Sequence, residues 1–131
     1  MKFGAQLVNY TCTWDDTLEV IQTIQAGRWN SLWWSDHFLV PAAQATWNKE
    51  SLEGWSVVTA AAAITKGLEL GVLVTGNIYR NPALLAKMAV TVDQISHGRY
   101  VLGIGAGWFK AEHEAYGIEY PGLKERCDRL E

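Results

Sequence analysis

Four short apolar runs recur along the chain, and each is followed by a polar or glycine-rich segment. They cover residues 3–8, 31–35, 68–75 and 100–104. Runs of this length bounded by turn-forming residues are typical of β-strands. The run over 68–75 is rich in Leu and Val without strict polar alternation, which predicts a strand buried on both faces.

Amphipathic segments separate these runs and predict helices. Thr13 is a suitable N-cap for the first helix, Trp14, Leu18 and Ile21 share one of its faces, and Gly27 ends it. The Ala-rich stretch over residues 55–65, which is followed by a lysine and a glycine, predicts the second helix.

The third helix has the clearest start, because Asn81 can cap it and Pro82 suits its first position. Gly98 is expected to end it. Its apolar residues recur at helical spacing, at Leu85, Met88, Val92 and Ile95. A further amphipathic face begins with Leu123, Cys127 and Leu130 and reaches Glu131 without a stop signal.

The regular succession of strand and helix predicts an α/β fold with four parallel strands in the order 1-2-3-4 and right-handed crossover helices. A complete (β/α)₈ barrel needs about 250 residues, whereas this chain has 131. We therefore expect residues 1–131 to form a single partial domain, the N-terminal half of such a barrel, cut in the fourth or fifth helix.

Composition narrows the choice of partners. The chain is 49% hydrophobic and carries 11 basic against 14 acidic residues, a net charge of −3. That balance argues against nucleic acid, whose binders rely on basic surfaces. Without an apolar run long enough for a bilayer, the chain is expected to be soluble and cytoplasmic. Cys12 and Cys127 are expected to be reduced thiols, and no spacing predicts a metal site.

In parallel α/β folds, ligands bind beyond the carboxyl ends of the strands. Asp36 and His37 follow the second strand, and a carboxylate beside an imidazole can orient a ligand and move a proton. The alternative is structural, with Asp36 bonded to a backbone amide and His37 a loop residue. If the site is real, Asp36, His37, Thr75 and Trp108 should open into one concavity.

Glycines dominate the end of the fourth strand, in the sequence Gly103-Ile104-Gly105-Ala106-Gly107-Trp108. A dinucleotide fingerprint would need its third glycine where Trp108 stands. Positions without side chains let a flat ring approach, with Trp108 available to stack on it. The alternative is a tight strand exit and nothing more. Arg80, beside the cap of the third helix, is interpreted as an anchor rather than a catalytic cation.

Taken together, these motifs resemble the luciferase-like monooxygenase superfamily, especially its branch that depends on coenzyme F-420 (F420), a 5-deazaflavin. The resemblance covers the whole chain and rests on four motifs in order. They are Ser35-Asp36-His37-Phe38, residues 75–83 (TGNIYRNPA), residues 102–108 (LGIGAGW), and Tyr116-Gly117-Ile118 before Glu125-Arg126.

The resemblance implies a (β/α)₈ barrel with a flavin or deazaflavin ring in its mouth. It implies that Asp36 and His37 are catalytic and position the ring or substrate. The positions that match the family's cofactor-binding residues are Asp36, Val72, Leu73, Thr75, Ala106 and Gly107.

Two departures from the family's sugar and alcohol dehydrogenases concern their substrate chemistry. Trp108 stands where they carry a glutamate, and Pro41 where they carry a tryptophan. The resulting hypothesis is hydride transfer between F420 and a small organic substrate. The alternatives are an FMN-dependent monooxygenase and a non-catalytic half barrel that associates with a second copy or a missing C-terminal half.

Overall fold

A computed structural model describes residues 1–40 and 51–131. Within them, all four strands pair in parallel in a single sheet of order β1-β2-β3-β4, which confirms the predicted topology. The elements are β1 (Gly4–Leu7), α1 (Trp14–Ala26), β2 (Ser31–Trp34), α2 (Gly54–Ile64), β3 (Glu69–Gly76), α3 (Pro82–Ser96), β4 (Tyr100–Gly105), α4 (Lys110–Tyr116) and α5 (Leu123–Asp128).

Local sequence signals explain how the first and third helices begin. At α1, Thr13 Oγ1 accepts the Asp16 amide at 3.2 Å while the Asp16 carboxylate accepts the Thr13 amide at 2.9 Å, forming a capping box. At α3, Asn81 Oδ1 accepts the amide of Ala83 at 2.9 Å. Both predicted caps are therefore confirmed.

The hydrophobic core lies between the sheet and its helices. Leu32 and Trp34 of β2 and Leu70 and Val72 of β3 are fully buried there, against helix residues such as Val58. These strand residues alternate, as a pleated strand requires when one of its faces meets helices.

The opposite face of the sheet is open, so the prediction that β3 is buried on both faces is wrong. Leu73 and Val74 are 45% and 43% exposed, because among the described residues little packs over this side. Further down the same face, the Trp33 ring covers Gly71, where an added Cβ would lie 2.5 Å from it. This face corresponds to the inside of a barrel.

The last part of the chain also differs from the prediction. Leu123, Cys127 and Leu130 are exposed, α5 ends at Asp128, and the buried residue of α5 is Arg126. Of the face predicted for α1, Ile21 is buried, together with Thr17 and Ile24, whereas Trp14 is exposed. Short α4 was not predicted, since residues 110–116 are mostly polar and lack an apolar face.

Candidate functional site

A concavity of about 370 Å³ opens at the carboxyl edge of the sheet, where strands β2, β3 and β4 end. Its walls come from the loops that the sequence had marked as candidates. The lining residues are Asp36, His37, Leu73, Val74, Gly76, Tyr79, Gly105, Ala106, Gly107 and Trp108.

His37 is held in this wall by a carboxylate from α4. Its Nδ1 lies 3.0 Å from Glu112 Oε1. The imidazole forms T-shaped contacts with the rings of Trp108 and Phe109, at centroid distances of 5.4 and 5.9 Å. His37 lines the concavity, and among the residues that the structure describes none bonds to its Nε2.

Glu112 is completely buried and has four hydrogen-bond partners. Besides His37, the backbone amides of Phe38 and Leu39 each donate to Oε1 at 3.1 Å. The Tyr79 hydroxyl donates to Oε2. Burial, together with Glu112, raises the pKa of Tyr79 well above its ordinary value, which keeps the phenol protonated as a donor.

Asp36, although it neighbours His37 in sequence, faces different partners. Arg80 forms a bidentate pair with it, with nitrogen–oxygen distances of 2.7 and 2.9 Å, and the Gly76 amide donates to Oδ2 at 3.1 Å. Burial raises the pKa of this carboxyl, against the opposing effect of Arg80. The carboxyl is therefore engaged by the protein itself.

Arg80 joins three elements. Its guanidinium also reaches Glu53, the N-cap of α2, at 2.7 Å, and lies 5.7 and 5.9 Å from the ring centroids of Phe38 and Trp55. These contacts fit its interpretation as an anchor at the start of α3. They also leave it without a free donor fork for an anionic ligand.

Of the four residues expected to share one concavity, Asp36, His37 and Trp108 line it and Thr75 does not. Among the predicted cofactor-binding positions, Leu73, Ala106 and Gly107 line it, whereas Val72 and Thr75 are fully buried outside it. The reason is a shift in the β3–β4 register between Val72 and Thr75. That irregularity exposes two consecutive residues, Leu73 and Val74, to the cavity and turns their neighbours away from it.

The glycines at the end of β4 serve two purposes. An added Cβ at Gly103 would lie 2.8 Å from the Val72 carbonyl oxygen, and one at Gly105 would lie 2.9 Å from a Val74 methyl carbon. The tight strand exit is thus real at these two positions. Gly107, by contrast, has a φ of +70° and forms part of the cavity wall.

The cavity combines an apolar floor with a wall that is almost free of side chains. Leu73 and Val74 offer an apolar floor, Gly105 to Gly107 form a wall with almost no side chains, and Trp108, 61% exposed, stands at the rim. The described lining residues include no lysine or arginine, and the nearby Arg80 is already paired with Asp36 and Glu53. Within residues 1–40 and 51–131, no cluster of metal-ligating side chains occurs.

Glu112 and Tyr79 are the functional candidates that sequence reasoning missed. Glu112 lies in a charged segment, Lys-Ala-Glu-His-Glu, that is typical of a solvated helix face. Nothing in the local pattern marks one of its two glutamates as buried. Tyr79 lies within the motif over residues 75–83, but its role in the site depends on its hydrogen bond to Glu112.

The chain belongs to the luciferase-like monooxygenase family, whose model matches residues 1–131. It is 36% identical over 105 residues to an F420-dependent glucose-6-phosphate dehydrogenase from Amycolatopsis mediterranei, covering 77% of this chain and 30% of that protein. It is 39% identical over 72 residues to the pyrimidine monooxygenase RutA from a Bradyrhizobium strain, covering 55% of this chain and 19% of that protein.

Solved structures of an F420-dependent enzyme and of an FMN-bound enzyme also resemble this chain. An F420-dependent secondary alcohol dehydrogenase in complex with an F420-acetone adduct matches 98% of this chain with a TM-score of 0.80 and 27% identity. The FMN-bound oxygenating constituent of 3,6-diketocamphane monooxygenase from Pseudomonas putida matches 99% with a TM-score of 0.74 and 25% identity. The chain spans 38% and 37% of these proteins, respectively.

Among the described residues, no helix combines the length and the apolar character that a membrane-spanning segment requires.

Proposed function

We propose that the concavity holds the ring of coenzyme F420, and that the protein carrying this chain transfers a hydride between F420 and a small organic substrate. The observation that carries the proposal is the arrangement around His37. His37 lines a cavity floored by Leu73 and Val74 and walled by the glycines at the end of β4, and its Nδ1 is held by Glu112 while no described residue bonds to Nε2. The deazaflavin, when bound, supplies the hydride chemistry, and the protein supplies orientation and proton transfer.

Each side chain around the cavity has a distinct part in this proposal. His37 accepts a proton from the substrate, or returns it, through Nε2. Leu73, Val74, Ala106 and Gly107 hold the ring, and Trp108 covers it and excludes water. In the sequence-based hypothesis Asp36 was a second catalytic group, but its bonds to Arg80 and Gly76 favour a positioning part.

Val72 and Thr75 contribute indirectly. Because both are buried behind the bulge, they support the backbone that brings Leu73 and Val74 to the cavity. We therefore expect substitutions at these two positions to change stability more than cofactor affinity.

FMN is the second candidate cofactor, because the FMN-bound monooxygenase from Pseudomonas putida shares this fold at similar identity. A flavin ring has the same flat shape and can use the same floor and wall. An enzyme of this kind would be a monooxygenase. The F420-dependent dehydrogenase from Amycolatopsis mediterranei, which aligns with more of this chain than RutA does, favours F420.

Cofactor titration of the 131-residue chain tests the proposal. F420 fluorescence and FMN fluorescence are each followed as protein is added, with wild type, Trp108→Ala and Trp29→Ala. Trp29 is a matched control, since it is also exposed but does not line the concavity. We expect saturable quenching of F420, stronger than that of FMN, that Trp108→Ala weakens at least several-fold and Trp29→Ala leaves unchanged.

Tighter binding of FMN would support the monooxygenase alternative instead. Equal effects of the two tryptophan substitutions would contradict the proposed location of the ring. If neither cofactor binds and the chain only self-associates, the non-catalytic half barrel is the better description.

A further inference from the structure

Glu112 is a buried carboxylate behind the cavity wall that the proposed reaction does not itself require. We infer that it is a positioning residue for His37: it fixes the proton of the neutral imidazole on Nδ1, so that Nε2 presents a lone pair to the cavity. That this lone pair accepts a proton during a reaction rests on the proposed function. The position of the proton on Nδ1 follows from the geometry alone.

The direction of the hydrogen bond follows from the other donors at the same oxygen. The amides of Phe38 and Leu39 both point their hydrogens at Glu112 Oε1. An oxygen that accepts two backbone N–H groups acts as an acceptor toward a third partner as well. His37 Nδ1, 3.0 Å away, must therefore donate, and in a neutral imidazole the other nitrogen then carries the lone pair.

The surroundings of the ring preserve this orientation. The imidazole lies edge-on to Trp108 and Phe109, and its centroid is 6.4 Å from that of Tyr10. A ring flip would break the bond to Glu112 and leave a fully buried oxygen with one donor fewer. A carboxylate that orients an imidazole in this way is a recurring arrangement where histidine acts as a base.

The competing interpretation is that Glu112 only ties α4 to the segment after β2. Its bonds to two backbone amides and to Tyr79 would suffice for that purpose. If that were its whole contribution, other contacts would set the position of the His37 proton, and this position would not depend on Glu112. The position of this proton therefore separates the two interpretations.

Nitrogen NMR of ¹⁵N-labelled chain at alkaline pH reads the tautomer directly, and His37→Gln assigns the signal. We expect wild-type His37 to be protonated on Nδ1 alone. In Glu112→Gln, the amide oxygen can replace Oε1, so the tautomer should persist. In Glu112→Ala, we expect a mixture in which the Nε2–H form accounts for at least half.

His113 is an internal reference for the folding of α4, because its Nδ1 lies 3.0 Å from the Glu119 carbonyl oxygen and must also donate. Glu114→Ala is the matched control, since Glu114 lies on the same helix with its side chain 63% exposed. In a useful Glu112→Ala spectrum, His37 changes and His113 does not.

Two results would overturn the inference: a wild-type His37 protonated on Nε2, or an unchanged Nδ1–H form in Glu112→Ala. If that variant does not fold, the wild-type spectrum still decides, together with Tyr79→Phe, which should retain the tautomer. Failure of F420 and FMN to bind, with the Nδ1–H form present, would refute the proposed function and leave this inference standing.

Discussion

Replacing Arg80 by methionine should destabilise the protein more than replacing an exposed charged residue such as Lys124 does. Asp36 is 3% exposed and the Arg80 side chain 11% exposed. Without the guanidinium, the Asp36 carboxyl keeps only the Gly76 amide among its present partners. Removing one partner of a buried ion pair typically costs about 3–5 kcal/mol, and methionine retains much of the apolar stem, so lost packing adds little.

Urea unfolding followed by tryptophan fluorescence measures this cost. With a slope of about 1–3 kcal/mol per molar urea, the loss should move the midpoint by at least about 1 M. Lys124→Met is the control, because Lys124 and Asp128 form an exposed pair whose side chains are 88% and 57% accessible. Its effect should stay within about 0.5 kcal/mol.

The pH dependence supplies a second signature. Burial already raises the folded pKa of Asp36, and loss of Arg80 should raise it further. Stability that such a group contributes is present below its unfolded pKa and is lost as pH rises through the folded value. Arg80→Met should therefore be less destabilised near the ordinary aspartate pKa of about 4 than at neutral pH. A loss no greater than that of Lys124→Met, or one independent of pH, would refute this reasoning.

Three further outcomes are expected. Gly54→Ala should destabilise the chain by about 1–3 kcal/mol in urea unfolding, since the added Cβ would lie 2.3 Å from the Ser35 carbonyl oxygen. Gly122→Ala is the neutral control, because no atom lies within 4 Å of the Cβ that it would add. Burial lowers the pKa of His113, so the free energy of unfolding should fall as pH drops below about 6.5. A His113→Phe variant whose stability falls equally with pH would contradict this expectation. Sedimentation at micromolar concentration should show species larger than the 14.6 kDa monomer. Among residues 1–40 and 51–131, β1 and β4 form the two edges of the sheet and lie beside an exposed apolar face. A compact monomer would contradict this expectation.

The sheet was predictable because its signals are local. Apolar runs bounded by turn-forming residues marked the strands, and Thr13 and Asn81 marked two helix starts at the right residues. Parallel order then followed from crossovers too short to reach anything but the neighbouring strand. The exposed Trp14 was not predictable in this way, because its spacing matches that of Ile21 and only the tertiary structure decides which part of the face is covered.

The candidate site was predictable only in position. Strand ends placed His37 and Trp108 at one edge, but the bulge after Val72 depends on how β3 pairs with β4, which the residue pattern does not indicate. Glu112 is the clearest case. It lies 75 positions from His37, in a helix whose composition is typical of a solvated surface, so no spacing rule connects the two.

The two buried carboxylates at this edge, Asp36 and Glu112, differ in the groups that balance their negative charge. Asp36 is balanced by Arg80, a permanent cation that it shares with Glu53. For Glu112, the described partners are neutral donors and one imidazole, and a buried carboxylate held only by neutral donors remains costly. The imidazole of His37 lies 3.0 Å from this carboxylate. Asp36 is already engaged by Arg80 and the Gly76 amide, whereas none of the described residues bonds to His37 Nε2. For this reason our proposal assigns the transfer of the proton to His37 rather than to its neighbour Asp36.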